Sequence, residues 1–171
     1  MTCSRGYTKE PVCARRGAPH LHVVLVEPEI PPNTGNIART CAATRTTLHL
    51  VEPLGFSIED RYLRRAGVDY WHLVDLRVHP AWEACVGALA GVGAFHFFTS
   101  QGGVRYCDVP YRPNDVLVFG RESTGLSREL LAAHAAECRT IPMAPGVRSL
   151  NLSNAVAIVV YEALRQMAFP V

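Results

Sequence analysis

Apolar residues in this chain gather into short unbroken runs rather than alternating with polar ones. Leu21–Val26 reads LHVVLV and Thr47–Val51 reads TLHLV, and each is closed by a Glu-Pro pair. Phe95–Thr99 (FHFFT) and Val116–Phe119 (VLVF) have the same character. Runs of this kind are expected of strands buried on both faces. A further short strand is expected at Thr140–Ile141. Between these runs lie segments of helical character: one from about Gly35, one over Ile58–Ala66, one over Ala81–Leu89, and a last one over Asn151–Ala168. Strands separated by helices predict an α/β fold, a mostly parallel sheet flanked by helices. Residues 20–171 read as one domain, without repeat or linker. Residues 1–19, with Pro11, Gly17 and Pro19 against regular structure, read as a flexible N-terminal tail.

Composition narrows the class. A chain of 171 residues with 49% hydrophobic and 19% charged residues is ordinary for a globular protein. At this length it buries about two-thirds of its unfolded surface around a single core. No apolar run reaches the roughly 18 residues of a membrane span, and the N-terminus lacks the apolar core of a secretory signal. The six cysteines are scattered and form no CxxC pair, so reduced thiols and a cytoplasmic setting are expected. The seven histidines show no HExxH spacing; His20 and His22 suit one face of a strand, but no partner cluster is evident, and no metal is expected. A net charge of +2 excludes a diffuse polycationic surface but not a local basic patch.

In α/β sheets ligands bind beyond the carboxyl ends of the strands, and three loops there carry suitable groups. The first, Pro31-Pro32-Asn33-Thr34-Gly35-Asn36-Ile37-Ala38-Arg39, offers Asn33 or Thr34 as a helix cap and Arg39 about one turn inside. It reads equally as a capped helix with a surface arginine. The second, Phe119-Gly120-Arg121-Glu122-Ser123-Thr124-Gly125-Leu126, has Gly120 for close approach to a ligand and Gly125 for a sharp turn. It is neither GxGxxG nor a Walker loop. The third runs through Ile141-Pro142-Met143 to Arg148-Ser149-Leu150-Asn151-Leu152-Ser153-Asn154. Ser149 or Asn151 can cap the last helix, which leaves a surplus of polar groups at its mouth and points to a polar ligand. That helix is apolar on nearly every side, which favours a homodimer contact through Asn154–Met167. Separately, Arg61, Arg64 and Arg65 fall at i, i+3 and i+4, three guanidiniums on one helix face fit to grip phosphates, or else paired with Glu59 and Asp60 on a solvated surface.

Taken in this order, NTGNIAR, FGRESTGL, and IPM followed by RSLNLSNAVAIVVYEA resemble the three motifs of the SpoU branch of the SPOUT RNA methyltransferases. VLVEPEIPPNTGNIART and LRRAGVDYW are most similar to the short TrmL-type members, which act on the tRNA wobble nucleotide. The resemblance runs from about Leu21 to Pro170.

It implies a parallel sheet with a C-terminal trefoil knot, a homodimer, and S-adenosylmethionine as cofactor, released as S-adenosylhomocysteine. The cofactor pocket it implies comprises Phe98, Thr99, Gly120, Glu122, Ile141, Met143, Ser149 and Leu150. The catalytic set it implies is Arg39 with Asn33, Ser149 and Asn151, acting on the ribose 2'-hydroxyl of cytidine or uridine 34, with the tRNA anticodon stem-loop as partner and Arg61, Arg64 and Arg65 on the RNA. Ribosomal RNA or another tRNA position is the alternative substrate, and a catalytically silent RNA-binding module the alternative role.

Overall fold

The computed structural model describes residues 21–57 and 71–170. The expected tail, the expected helix over Ile58–Ala66 with Arg61, Arg64 and Arg65, and His20 lie outside the described residues. Seven strands form one sheet: β1 (Leu21–Val26), β2 (Thr47–Val51), β3 (Leu76–His79), β4 (Phe95–Phe98), β5 (Val104–Arg105), β6 (Asp115–Phe119) and β7 (Cys138–Thr140). Their spatial order is β3-β2-β1-β6-β4-β7-β5, and every pairing is parallel. The helices are α1 (Pro31–Thr44), α2 (Trp82–Ala88), α3 (Arg128–Ala133) and α4 (Leu152–Gln166), with short 3-10 turns at Trp71–Leu73, Tyr106–Asp108 and Ala135–Glu137.

The unbroken apolar runs are explained by burial on both sides. Leu21, Val23 and Leu25 of β1 and Leu117 and Phe119 of β6 pack with Ile37, Ala38 and Cys41 of α1 and Val156, Val159, Val160, Ala163 and Leu164 of α4. Their alternates, Val24, Val116 and Val118, face the opposite layer with Phe97, Cys85 and Leu89, against which Leu130 and Leu131 of α3 pack. A two-residue period therefore sends successive side chains of one strand into two different cores.

Several expectations need correction. Helix α1 begins at Pro31, four residues before Gly35, because prolines at its first positions need no amide hydrogen bond and arrive with helical φ. Arg39 is therefore about two turns inside the helix, not one. Strand β7 lies slightly earlier than Thr140–Ile141, and β3 and β5 were not expected at all. In β3 the run LRVH exposes Arg77 and Val78, so it lacks the apolar continuity of the central strands. Helix α4 is apolar all round, but five of its apolar residues belong to the core. Only a narrower outer stripe with Ile158 (37% exposed) and Tyr161 (50% exposed) remains for any other contact.

Candidate functional site

A cavity of about 520 Å³ opens where β4, β6 and β7 end and α1 and α4 begin. Its walls are the loop after β4 (Phe98 to Gln101), the loop after β6 (Phe119 and Arg121 to Leu126), the segment after β7 (Ile141, Met143 and Arg148 to Leu152), and Ile30, Asn33 and Ala155. Its size falls within the roughly 300–1,000 Å³ typical of cofactor pockets. The strand order explains the location, since β1 is flanked by β2 and β6, strands whose chain connections run in different directions.

Three loops distant in sequence are held together by one polar chain. Glu122 accepts hydrogen bonds from the backbone amides of Glu29 at 2.8 Å and Ile30 at 3.2 Å, and from Asn33 Nδ2 at 3.0 Å. Asn33 Oδ1 accepts from Asn151 Nδ2 at 2.9 Å. Asn151 Oδ1 accepts in turn from the Ser153 amide at 2.9 Å, the Ser153 hydroxyl at 2.7 Å and the Asn154 amide at 3.4 Å. Asn151 is thus the cap of α4. Neither Asn33 nor Thr34 caps α1, whose N-cap is Ile30 with no side-chain cap bond. The anion that meets the amides at this helix mouth is Glu122, supplied from the loop after β6.

Of the expected site residues, Asn33, Phe98, Thr99, Glu122, Ile141, Met143, Ser149, Leu150 and Asn151 line the cavity. Gly120 is not on its wall. A Cβ at Gly120 would stand 2.1 Å from the Gly125 carbonyl carbon, so the absence of a side chain there lets the loop fold onto itself. The loop closes through Arg121 N to Gly125 O at 3.2 Å and Gly125 N to Arg121 O at 2.9 Å, with Gly125 at φ +73°. Arg39 is exposed and is also not on the cavity wall. Arg148 and Leu152 stood in the third loop without an assigned role, and sequence reasoning missed Ile30, Ser100 and Gln101 as lining residues. Their signal was adjacency to strand ends, without distinctive chemistry.

The lining chemistry fits an adenosine bearing a sulfonium side chain. Phe98, Ile141, Leu150, Leu152 and Ala155 supply an apolar wall for a purine, and Thr99, Ser149 and Asn151 supply polar groups beside it.

The histidines also departed from expectation. His22 Nδ1 lies 3.1 Å from His49 Nε2, and His49 Nδ1 lies 2.9 Å from His79 Nε2, a buried chain across β1, β2 and β3. Burial, with Arg77 nearby, pushes His22 and His79 below the usual range. Burial and then the neighbouring His22, His79 and Arg77 push His49 down to about 3. Three neutral rings suit the chain, because each neutral imidazole donates once and accepts once. The donor atoms of His49, His79 and Cys85 lie within 4.8 Å of one another. The His49 and His79 rings are inclined by only 13° with centres 5.2 Å apart. Set against the 2.9 Å N···N contact, this aims one nitrogen edge-on at the other, the geometry of a hydrogen bond rather than of a shared ion.

Residues 20–161 match the family described as SpoU rRNA Methylase. The chain is 53% identical over 150 residues to a tRNA (cytidine(34)-2'-O)-methyltransferase of Burkholderia pseudomallei, covering 86% of this chain and 96% of that protein. A solved structure described as giving structural insights into the 2-OH methylation of C/U34 on tRNA superposes with a TM-score of 0.83 and 46% identity, covering 88% of this chain and 98% of that one. An AdoMet-bound rRNA methyltransferase from Sinorhizobium meliloti superposes with a TM-score of 0.78 and 27% identity, covering 86% of this chain and 57% of that one.

Proposed function

The chain belongs to the SpoU rRNA methylase family, and from that premise we propose that it is a tRNA 2'-O-methyltransferase acting on the ribose of nucleotide 34, cytidine or uridine. The observation that carries this reading is the cavity in which all three motif loops meet, bound together by Glu122, Asn33 and Asn151. Phe98, Thr99, Ile141, Met143, Ser149 and Leu150 would hold S-adenosylmethionine. Bound there, it supplies an electrophilic methyl group whose sulfur leaves uncharged, so no general acid is needed.

What remains for the protein is the nucleophile. A ribose 2'-hydroxyl is almost wholly protonated at neutral pH, and it must be brought into line with the methyl carbon. Asn33, Ser149 and Asn151 offer amide and hydroxyl groups to fix the ribose in the cavity mouth. Asn33 and Asn151 are held in place by the bond between them, and Asn151 also by its role as the cap of α4. Arg39 stays charged in proteins and does not abstract a proton, so the 2'-hydroxyl proton passes to solvent water as the oxygen takes the methyl group. From its exposed place on α1 it orients the incoming ribose and phosphate and offsets developing alkoxide charge.

The RNA partner in this reading is the anticodon stem-loop, with Arg61, Arg64 and Arg65 on its phosphates, and the setting is the cytoplasm. Two copies pair through the outer stripe of α4, which ordinary solvent exposure would leave with Ile158 and Tyr161 uncovered. A knotted C-terminal segment, which the motif resemblance implies, belongs to the same reading. Mass spectrometry of tRNA treated with the protein and isotopically labelled S-adenosylmethionine tests the reading. Label on the 2'-oxygen of nucleotide 34 is the expected result; label on a base, at another position, or on ribosomal RNA alone overturns it.

A further inference from the structure

A second, smaller cavity of about 180 Å³ adjoins the first. Its walls are Glu27, Glu29, Pro53, Leu54, Gly55 and Arg121, drawn from the loops that leave β1 and β2 and from the loop after β6. Arg121 lines both cavities. The space is well below the roughly 300–1,000 Å³ of a cavity that takes a whole cofactor or drug-sized ligand. It suits a single ring system next to a reacting group held in the larger cavity. Resting on the tRNA methyltransferase reading above, we propose that this cavity receives the base of the nucleotide being methylated, and that Glu27 and Arg121 read its Watson–Crick edge as cytosine.

The walls are preformed. The Gly55 amide bonds Pro28 O at 2.9 Å, and a Cβ on Gly55 would meet Glu29 Cα at 2.7 Å, so the two strand-end loops lock closely together. Glu29 is committed elsewhere: its carboxylate accepts from the Ser123 amide at 3.0 Å and the Ser123 hydroxyl at 2.9 Å. Glu27 differs. It sits at φ 54°, a left-handed conformation that a non-glycine residue rarely adopts unless the surroundings impose it. That conformation sets its carboxylate against the Arg121 guanidinium at the edge shared by the two cavities.

An acceptor beside a donor matches one pyrimidine better than the other. Cytosine presents an amino donor next to two acceptors, which face the carboxylate and the guanidinium respectively. Uracil places a carbonyl oxygen where cytosine has its amino group, and that oxygen meets the carboxylate unfavourably. Arg121 has five N–H donors, so it keeps its ion pair with Glu27 while donating to the base. A carboxylate that accepts from cytosine N4 is an established recognition pair in nucleic-acid complexes.

The test compares the full-length protein with its Glu27→Gln variant on two anticodon stem-loops that differ only in C34 or U34. A glutamine amide can donate to uracil and accept from it, so the expected result is a drop in the C34-to-U34 ratio of kcat/KM of about tenfold or more. Affinity for S-adenosylhomocysteine, measured by calorimetry, should be unchanged. Arg121→Gln, at an exposed side chain, provides a second variant should Glu27→Gln fold poorly, and it should lower methylation of C34 more than of U34. An unchanged ratio in the folded variants overturns the inference, as does a loss of S-adenosylhomocysteine affinity in Glu27→Gln, whose side chain lines only the smaller cavity, since that would give this cavity to the cofactor. If the unmodified protein methylates nucleotide 34 of neither stem-loop, the functional reading itself fails, and this inference with it.

Discussion

Replacing Glu122 with alanine separates two roles for this residue, a direct contact to the cofactor or an anion that ties the Glu29–Ile30 turn and Asn33 together at the mouth of α1. In the structure its carboxylate receives two backbone amides and Asn33 Nδ2. Loss of the acceptor for the Glu29 and Ile30 amides costs about 1 kcal/mol. Loss of a negative charge at a helix N-terminus costs about 0.3–1 kcal/mol more. Asn33 is only 6% exposed, and a buried donor left without its acceptor costs about 1–3 kcal/mol. With Ile30 partly open to water, the lower ends apply there, and the total is roughly 2–4 kcal/mol. For a protein of this size each kcal/mol lowers Tm by about 2–4 °C, so Glu122→Ala should melt roughly 5–15 °C lower without any ligand. Circular dichroism of the ligand-free protein measures this directly, with calorimetric titration of S-adenosylhomocysteine alongside. A ligand-free Tm within about 1 °C of the unmodified protein, together with lost affinity, would refute this structural role and make Glu122 a simple ligand contact.

Arg39→Ala should abolish turnover while S-adenosylhomocysteine still binds, since Arg39 is off the cavity wall; lost binding in calorimetry would remove Arg39 from the RNA side of the reaction. The His22, His49 and His79 chain makes stability sensitive to acid. The unfolded chain protonates these rings below about 6.5, whereas the folded chain refuses the proton on His49 down to about 3. Their contribution is therefore complete above the unfolded value and is lost as pH falls from there. His49 alone should remove about 2 kcal/mol by pH 5; a urea midpoint at pH 5 equal to or above that at pH 7 would contradict this. Finally, Ile158→Arg with Tyr161→Arg, both on the exposed stripe of α4, should convert a dimer to a monomer in sedimentation experiments without lowering Tm by more than the loss of the contact, and an unchanged mass would rule out this stripe as the subunit contact.

The sequence alone determined the central architecture because burial on both faces leaves a mark along the chain. LHVVLV, TLHLV, FHFFT and the run ending in VLVF could hardly be read otherwise, and β1, β2, β4 and β6 lie where those runs lie. The residues that line the cavity were also largely legible, since NTGNIAR, FGRESTGL and RSLNLSN keep their wording together in short segments. Edge strands were not legible. In β3, Arg77 and Val78 face solvent, so nothing forces the run to be apolar.

Tertiary structure decided which side chain does which task. Asn33 looked like the cap of its own helix, yet Glu122 provides that charge from 89 residues away, and Asn33 bridges instead to Asn151, 118 residues distant. At Gly120 the missing side chain makes room for Gly125, a packing need that the motif by itself does not reveal. His22, His49 and His79 seemed unrelated until parallel pairing of three strands set them in line. The physical reason is the same in each case. Local sequence records what a residue must bury, because burial repeats with the period of the strand or helix. Which polar group meets which depends on distances across the sheet order, and no periodicity along the chain encodes those.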